Sequence, residues 1–378
     1  MTFYYQKALL ISPLFTYIVL KPYYFWSSGY PQIADFTFLV LTSIVFTIYR
    51  SMFKFNYILF AILFFIAYTF FVNAFFAMLH QDYGGMVYPI FYAFNGLFII
   101  YAFNIINNNI INYRIWTRMT FLSLFFILAS SPIFFEVKLR QDLAFNNPNQ
   151  LGSFAMMLVI ISLYFLTIEK KKLDKSSSFI VAVGSILALL SLSVGSIMGI
   201  LLAISIYIFL FNRRHLLKFL LLASIMISSI SYFIINNSEF ISAAESRLVM
   251  KLEKSNEAGI IQERGYDRIL NHPEYLVFGA GEGQRDRFES FLIDGTRSLE
   301  LHSTIGTILF SYGFIIFGAF IYLVLKLYKY NRVWFLYFLS LMPYFLTHNM
   351  LRNPLLWFFI FLAFYLPVRS SRPDYATN

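Results

Sequence analysis

Between Arg264 and Arg287 the chain reads Arg264-Gly-Tyr-Asp-Arg268, then Phe278-Gly279-Ala-Gly281-Glu282-Gly283, then Gln-Arg285-Asp-Arg287. Arginine presents a planar fork that matches phosphate or pyrophosphate with two parallel hydrogen bonds. Glycines let the backbone come close to a ligand. Arg264, Arg268, Arg285 and Arg287 around Gly279, Gly281 and Gly283 therefore form the densest candidate anion site in the sequence. Glu282 lies inside the glycine run and is a candidate general base. His302 follows directly downstream, where an apolar run begins. A neutral imidazole there fits a general base or a hydrogen-bond donor to a sugar. The plain alternatives are a solvated loop with a few salt bridges and an interfacial histidine. A GxGxG run outside a strand–turn–helix setting is not a dinucleotide fingerprint.

A second polar segment holds Arg140, Asp142 and Asn146-Asn147-Pro-Asn149, followed by Gln150-Leu-Gly152. Side-chain amides both donate and accept, which suits them to sugar hydroxyls. The same residues also read as a helix start, with Asn149 as N-cap after a turn at Pro148. Both readings can hold together.

The rest of the chain must place these groups, and it is built for a membrane. Of 378 residues, 59% are hydrophobic and 13% charged, with 47 Phe and 27 Tyr; soluble domains carry about 25% charge. The net charge of +10 comes from short Lys/Arg clusters between apolar runs. That is a topology signal rather than a basic face for nucleic acid. With no cysteine, disulfides and thiolate metal sites are excluded. The first apolar run lacks a small-residue cleavage site, so no cleavable signal peptide is expected. There is no carboxylate pair of the kind that holds a metal for nucleotide-sugar transfer, no HExxH, no GxSxG and no P-loop.

About twelve apolar runs have helix-spanning length, near 8–22, 33–49, 56–78, 86–106, 115–135, 151–168, 178–192, 194–211, 216–235, 302–326, 332–347 and 354–368. The seventh and eighth are parted only by Ser191-Leu-Ser-Val-Gly195, a tight turn or a kink. The expected fold class is an all-α polytopic membrane protein. It comprises residues 1–235 with nine spans, a large polar loop at 236–300, and residues 301–378 with three spans and a tail. The loop holds 12 of the 19 acidic residues and eight of the 29 basic ones. Arg50 and Lys54, Lys170 to Lys175, Arg213 to Lys218, Lys326 to Arg332, and Arg369 and Arg372 fall on one face if the spans alternate. The positive-inside rule makes that face cytoplasmic, with both termini inside and the 136–150 and 236–300 segments outside. Within the large loop, Ser242–Lys254 has the spacing of an amphipathic helix, and Arg264–Asn271 reads as a second helix ended at His272-Pro273.

With these residues in place, the chain resembles the O-antigen polymerase and O-antigen ligase superfamily of bacterial envelope polysaccharide synthesis. Three pieces carry the likeness. They are Asn147-Pro-Asn149 opening a span, Arg264 and Arg268 ahead of Gly279-Ala-Gly281-Glu-Gly283, and His302 opening a span with Tyr312-Gly313. The resemblance covers the topology as a whole and residues 140–155 and 260–315 in particular. Where members often carry an arginine after the serine near Ser191–Ser196, this chain has Val194. A phosphate contact there falls to Arg140, Arg285 or Arg287, and the departure favours polymerase over ligase. The resemblance implies a donor glycan on undecaprenyl pyrophosphate, transfer at the periplasmic face of the bacterial inner membrane, inversion at the anomeric carbon, and no cofactor, metal or nucleic acid. It implies Arg264 and Arg268 on the pyrophosphate with Arg140 as a third candidate. It makes His302 or Glu282 the base, and sets Asn147, Asn149, Gly279, Gly281, Arg285 and Arg287 against substrate. A chain-length regulator protein is an expected partner. The alternatives are the ligase, which moves the glycan to lipid A core or protein, and, from another class, a lipid-linked glycan flippase or transporter. Charge kept out of the spans disfavours the flippase.

Overall fold

The computed structural model describes residues 2–26, 31–50, 57–108, 110–136, 140–211, 265–283, 288 and 301–363. Among the described residues the protein is entirely helical, and six helices are long and apolar enough to cross a membrane. Eight helices come first: α1 (Thr2–Leu20), α2 (Ile33–Ile48), α3 (Tyr57–His80), α4 (Val87–Asn107), α5 (Tyr113–Phe134), α6 (Pro148–Ile168), α7 (Lys175–Ser191) and α8 (Val194–Phe211). The short α9 (Asp267–Asn271) and a 3-10 turn at Pro273–Leu276 lead to the glycine run. Then follow α10 (Thr304–Tyr330), α11 (Arg332–Leu339), α12 (Met342–Thr347) and α13 (Pro354–Leu362). The expected run at 216–235, the end of the 354–368 run beyond residue 363, and the amphipathic helix at 242–254 lie outside the described residues.

The centre of the bundle is α6. Every residue from Leu151 to Thr167 is buried, as expected for a helix that is apolar all round. It packs against α5, α7, α8, α11 and α13. Helix α4 leans on α3 and α13, and α1 pairs with α2 and α5. Large aromatics fill the joints: the Trp116 ring lies 5.1 Å from that of Phe358, and the Tyr17 ring 5.0 Å from that of Phe98.

Asparagine starts many of these helices. Asn112, Asn147, Asn331 and Asn353 are N-caps whose side chains accept from backbone N–H groups in the first turn, satisfying donors that a helix cannot pair internally. Pro148 and Pro354 take the first helical position, where a missing N–H costs nothing. At α6 this corrects the sequence reading. The cap is Asn147, not Asn149, because Pro148 fits N1 and so fixes the start of the helix one residue behind it. Between α7 and α8, Leu192 adopts a left-handed conformation (φ 46°), so the Ser191–Gly195 stretch contains a tight turn, at Leu192 and Ser193. The run expected at 332–347 divides into α11 and α12 near Ser340 and Leu341, ahead of Pro343.

Helix α10 is broken at Gly313, which has φ 70° and ψ −177°. The break leaves the Phe310 and Ser311 carbonyls to be satisfied from outside the helix. They accept from Ala280 N–H at 2.8 Å and Gly281 N–H at 2.9 Å.

The two ends of the bundle differ. At one end, Tyr24 N–H bonds Ala144 O, Tyr344 hydroxyl bonds Asn149 O, and Arg352 meets Glu282. This gathers the 21–26, 140–149, 279–283 and 344–353 segments. At the other end, Tyr113 bonds Glu169 and Asp174, and Tyr207 hydroxyl bonds Lys171 O, among Lys170, Lys171, Lys172 and Lys175.

Candidate functional site

The glycine run does not stand open to solvent. Gly279, Gly281 and Gly283 all have positive φ (95°, 74° and 87°), a conformation that favours glycine. A Cβ at Gly279 would strike the Ser311 carbonyl, and one at Gly283 would strike the Tyr88 ring. Gly279 N–H bonds Tyr275 O, Glu282 N–H bonds Asn73 Oδ1 at 2.8 Å, and Ala280 and Gly281 bond the broken turn of α10. The close approach that the sequence reading assigned to a ligand is thus made, at Gly279 and Gly283, to the chain's own helices. Gly281 does line a cleft.

Docking the run carries Glu282 into the bundle, where it is 5% exposed. Its Oε1 accepts from the Tyr92 hydroxyl and, at 2.5 Å, from the Tyr312 hydroxyl. Its Oε2 accepts from Arg352 Nη2 at 2.6 Å. The Arg352 guanidinium also lies over the Tyr88 ring, 4.0 Å from the centroid. A buried carboxylate is costly unless paired and hydrogen-bonded, and this one is both.

The cleft above is lined by Arg268, Gly281, Glu282, Leu301, Asn349 and Arg352. Arg268 is 6% exposed, its guanidinium 5.6 Å from the Phe288 ring centroid. Two guanidinium groups and one carboxylate share the cleft, which leaves it a net positive charge. Its free volume, about 30 Å³, admits water but not a sugar ring. Arg268 sits on α9, which ends at Asn271 before His272-Pro273 as expected but starts at Asp267 rather than at Arg264. Arg264, Arg285 and Arg287 lie outside the described residues.

Beside the cleft is a second polar group. Arg140 donates from Nε to Ser191 O at 2.9 Å and from Nη2 to Asn149 Oδ1 at 2.5 Å. Because Asn147 serves as the cap, bonding Asn149 N–H at 2.8 Å, the Asn149 side chain is left to receive this guanidinium. Arg140 therefore bonds the end of α7 at Ser191, three residues before Val194. Tyr344, whose hydroxyl bonds Asn149 O at 3.0 Å, stacks on His348 with ring centroids 4.4 Å apart. His348 O in turn accepts from Thr304 N–H and hydroxyl. Half-buried His302 immediately precedes Ser303, the N-cap of α10, whose side chain accepts from Gly306 N–H. The 301–304 and 347–352 segments thus run together along the rim, joining Arg140 and Asn149 on one side to Arg268 and Glu282 on the other.

Sequence reasoning placed Arg352 only as a charge in a short outer loop and did not single out His348 or Asn73. The available signal was weak. Arg352 and His348 are ionisable residues in the six-residue interval 348–353 between apolar runs, and Asn73 is an amide inside one.

The fold defines a class: a helical protein with several helices suited to a membrane, carrying a basic cleft at one end of the bundle. The chain matches no family model, and no curated protein matches it significantly.

Proposed function

We propose that this protein is a membrane-embedded glycosyltransferase that polymerises repeat units carried on undecaprenyl pyrophosphate, at the periplasmic face of a bacterial inner membrane and by inverting, metal-independent transfer. The observation that carries this reading is the convergence of Arg268 and Arg352 on one cleft that also holds Glu282 and Asn349. Guanidinium groups aimed where a diphosphate gains charge as the anomeric bond breaks would lower the barrier selectively in the transition state. Arg140, bonded to Ser191 O three residues before Val194, is a candidate to supply the phosphate contact that the resembled superfamily often draws from an arginine where this chain has Val194.

The base in this reading is His302. Glu282 accepts from two tyrosines and one arginine, so both of its oxygens are already engaged by the protein's own donors. Glu282 then positions Arg352 instead of moving a proton. In this scheme His302 takes the proton from the acceptor hydroxyl. The hydroxyl oxygen forms the new bond to the anomeric carbon, and the diphosphate leaves on the lipid.

The test uses purified protein with a lipid-linked repeat unit, without nucleotide or added metal, followed by mass analysis. Products longer by whole repeat units support the reading. Transfer to lipid A core or to a protein acceptor without polymer would assign the ligase activity instead. No covalent product under any acceptor would remove the enzyme reading and leave the transporter class.

A further inference from the structure

Below the glycine run, an apolar groove of about 330 Å³ opens between α10 and the packed α3–α4 pair, lined among others by Phe64, Phe65, Ile99, Ala319, Leu323 and Lys326. The break at Gly313 falls within the stretch of α10, Ile308 to Lys326, that lines the groove. Ile316, Ala319, Leu323 and Lys326 recur at helical spacing, so one stripe of α10 faces the groove.

The groove has a closed end and an open end. The closed end is Tyr92, Asn95, Leu351 and Trp357, none more than 8% exposed. Towards the other end Phe64 is 53% and Tyr322 66% exposed, and Lys326 Nζ stands 5.9 Å over the Tyr322 ring. Chemistry separates the ends as well. At the closed end Asn95 Nδ2 bonds Leu351 O at 3.0 Å, while its buried Oδ1 has no hydrogen-bond partner. A lone acceptor repels an anion and suits a single water. At the open end, Lys326, with Lys329 a turn further on, supplies positive charge beside an exposed tyrosine, the composition of a membrane–water interface.

From this polarity we propose that the groove seats one acyl chain of an anionic phospholipid. The phosphate lies on Lys326, and the chain tip points toward Asn95 and Trp357. Such a lipid fills a gap that would otherwise leave the inner faces of α3 and α10 unpacked. The inference stands apart from the glycosyltransferase reading, since it concerns a bound lipid rather than a substrate.

The experiment is native mass spectrometry of the full chain released from nanodiscs containing phosphatidylglycerol and phosphatidylcholine. The expected result is one retained lipid per chain, with phosphatidylglycerol preferred. Lys326→Gln should keep the lipid but lower that preference roughly fivefold, the weight of about 1 kcal/mol per basic side chain near an anionic headgroup. Ala319→Phe, which fills the groove, should abolish retention while helicity by circular dichroism is unchanged. If Ala319→Phe does not fold, Lys326→Glu decides alone and must abolish the preference for phosphatidylglycerol. No retained lipid, equal retention of both lipids by the wild type, or an unchanged preference in Lys326→Glu each overturns the proposal.

Discussion

Arg352 donates a 2.6 Å hydrogen bond to the Glu282 carboxylate. This ties a loop that precedes α10 to the segment that precedes α13. Seventy residues apart in sequence, the two define the floor of the cleft, with Glu282 held by Tyr92 and Tyr312 and Arg352 lying over Tyr88.

Removing one member of this pair should cost more than removing both. Arg352→Met leaves a buried carboxylate without its cation, a loss of about 3–5 kcal/mol. The double variant Arg352→Met, Glu282→Gln should recover part of it. Thermal unfolding in detergent measures the cycle. A double variant whose loss equals the sum of the two single losses would show the pair is not coupled.

Activity separates the two candidate bases. His302→Gln should lose nearly all polymer formation, and Glu282→Gln only part of it. Chain-length ladders on a gel, normalised to membrane-inserted protein, give the readout. Near-complete loss in Glu282→Gln, with His302→Gln active, would reverse the assignment.

Arg268→Ala should abolish long-chain polysaccharide while the protein still inserts. Arg268→Lys should restore little, because a point charge does not reproduce the bidentate fork. Normal ladders from Arg268→Ala would place the anion site elsewhere.

A glycine substitution tests the docking of the loop. Gly313→Ala puts a Cβ against the Val277 carbonyl at φ 70°. Residues 279–281 should then lift from α10. The expected sign is faster limited proteolysis between Val277 and Gly283 in Gly313→Ala than in wild type, with the Gly318→Ala control unchanged.

Away from the cleft, Asp174 caps α7 by accepting from Ser177 N–H at 2.8 Å. Partial burial alone would push this carboxyl up. Hydrogen bonds from the Ser177 N–H and hydroxyl, and from Tyr113, outweigh burial and hold it below the usual carboxylate range. A carboxyl depressed in the fold stabilises at pH above its unfolded value, and the contribution fades as pH falls through the folded value. Asp174→Ala should cost about 1 kcal/mol at neutral pH. The gap in melting temperature between wild type and variant should narrow below about pH 3.9. A gap that stays constant as the pH falls well below that value would show the cap is not charge-dependent.

How far could the sequence be read? The apolar runs translated well wherever packing and turn chemistry agreed. The 33–49 run became Ile33–Ile48, 194–211 became Val194–Phe211, and the His272-Pro273 stop fell where expected. Local caps were harder, since Asn147 and Asn149 flank one proline and only the helix start decides which of them is the cap. The cleft was half legible. Arg268, Glu282 and the glycines announced themselves by crowding, but Arg352 joins them across many intervening residues, a pairing no local pattern encodes. The glycines were visible and their purpose was not: positive φ suits a ligand cradle and a loop pressed on a helix equally well.

The interruption of α10 bears on how the chain is made. Before residues 279–281 arrive, a nascent α10 can stay continuous, with Phe310 and Ser311 carbonyls bonded inside the helix. Docking exchanges those internal bonds for bonds from Ala280 and Gly281. The donors are synthesised ahead of the acceptors, so they are on hand when α10 emerges, and the exchange can follow without exposing a bare carbonyl to hydrocarbon, where each would cost several kcal/mol.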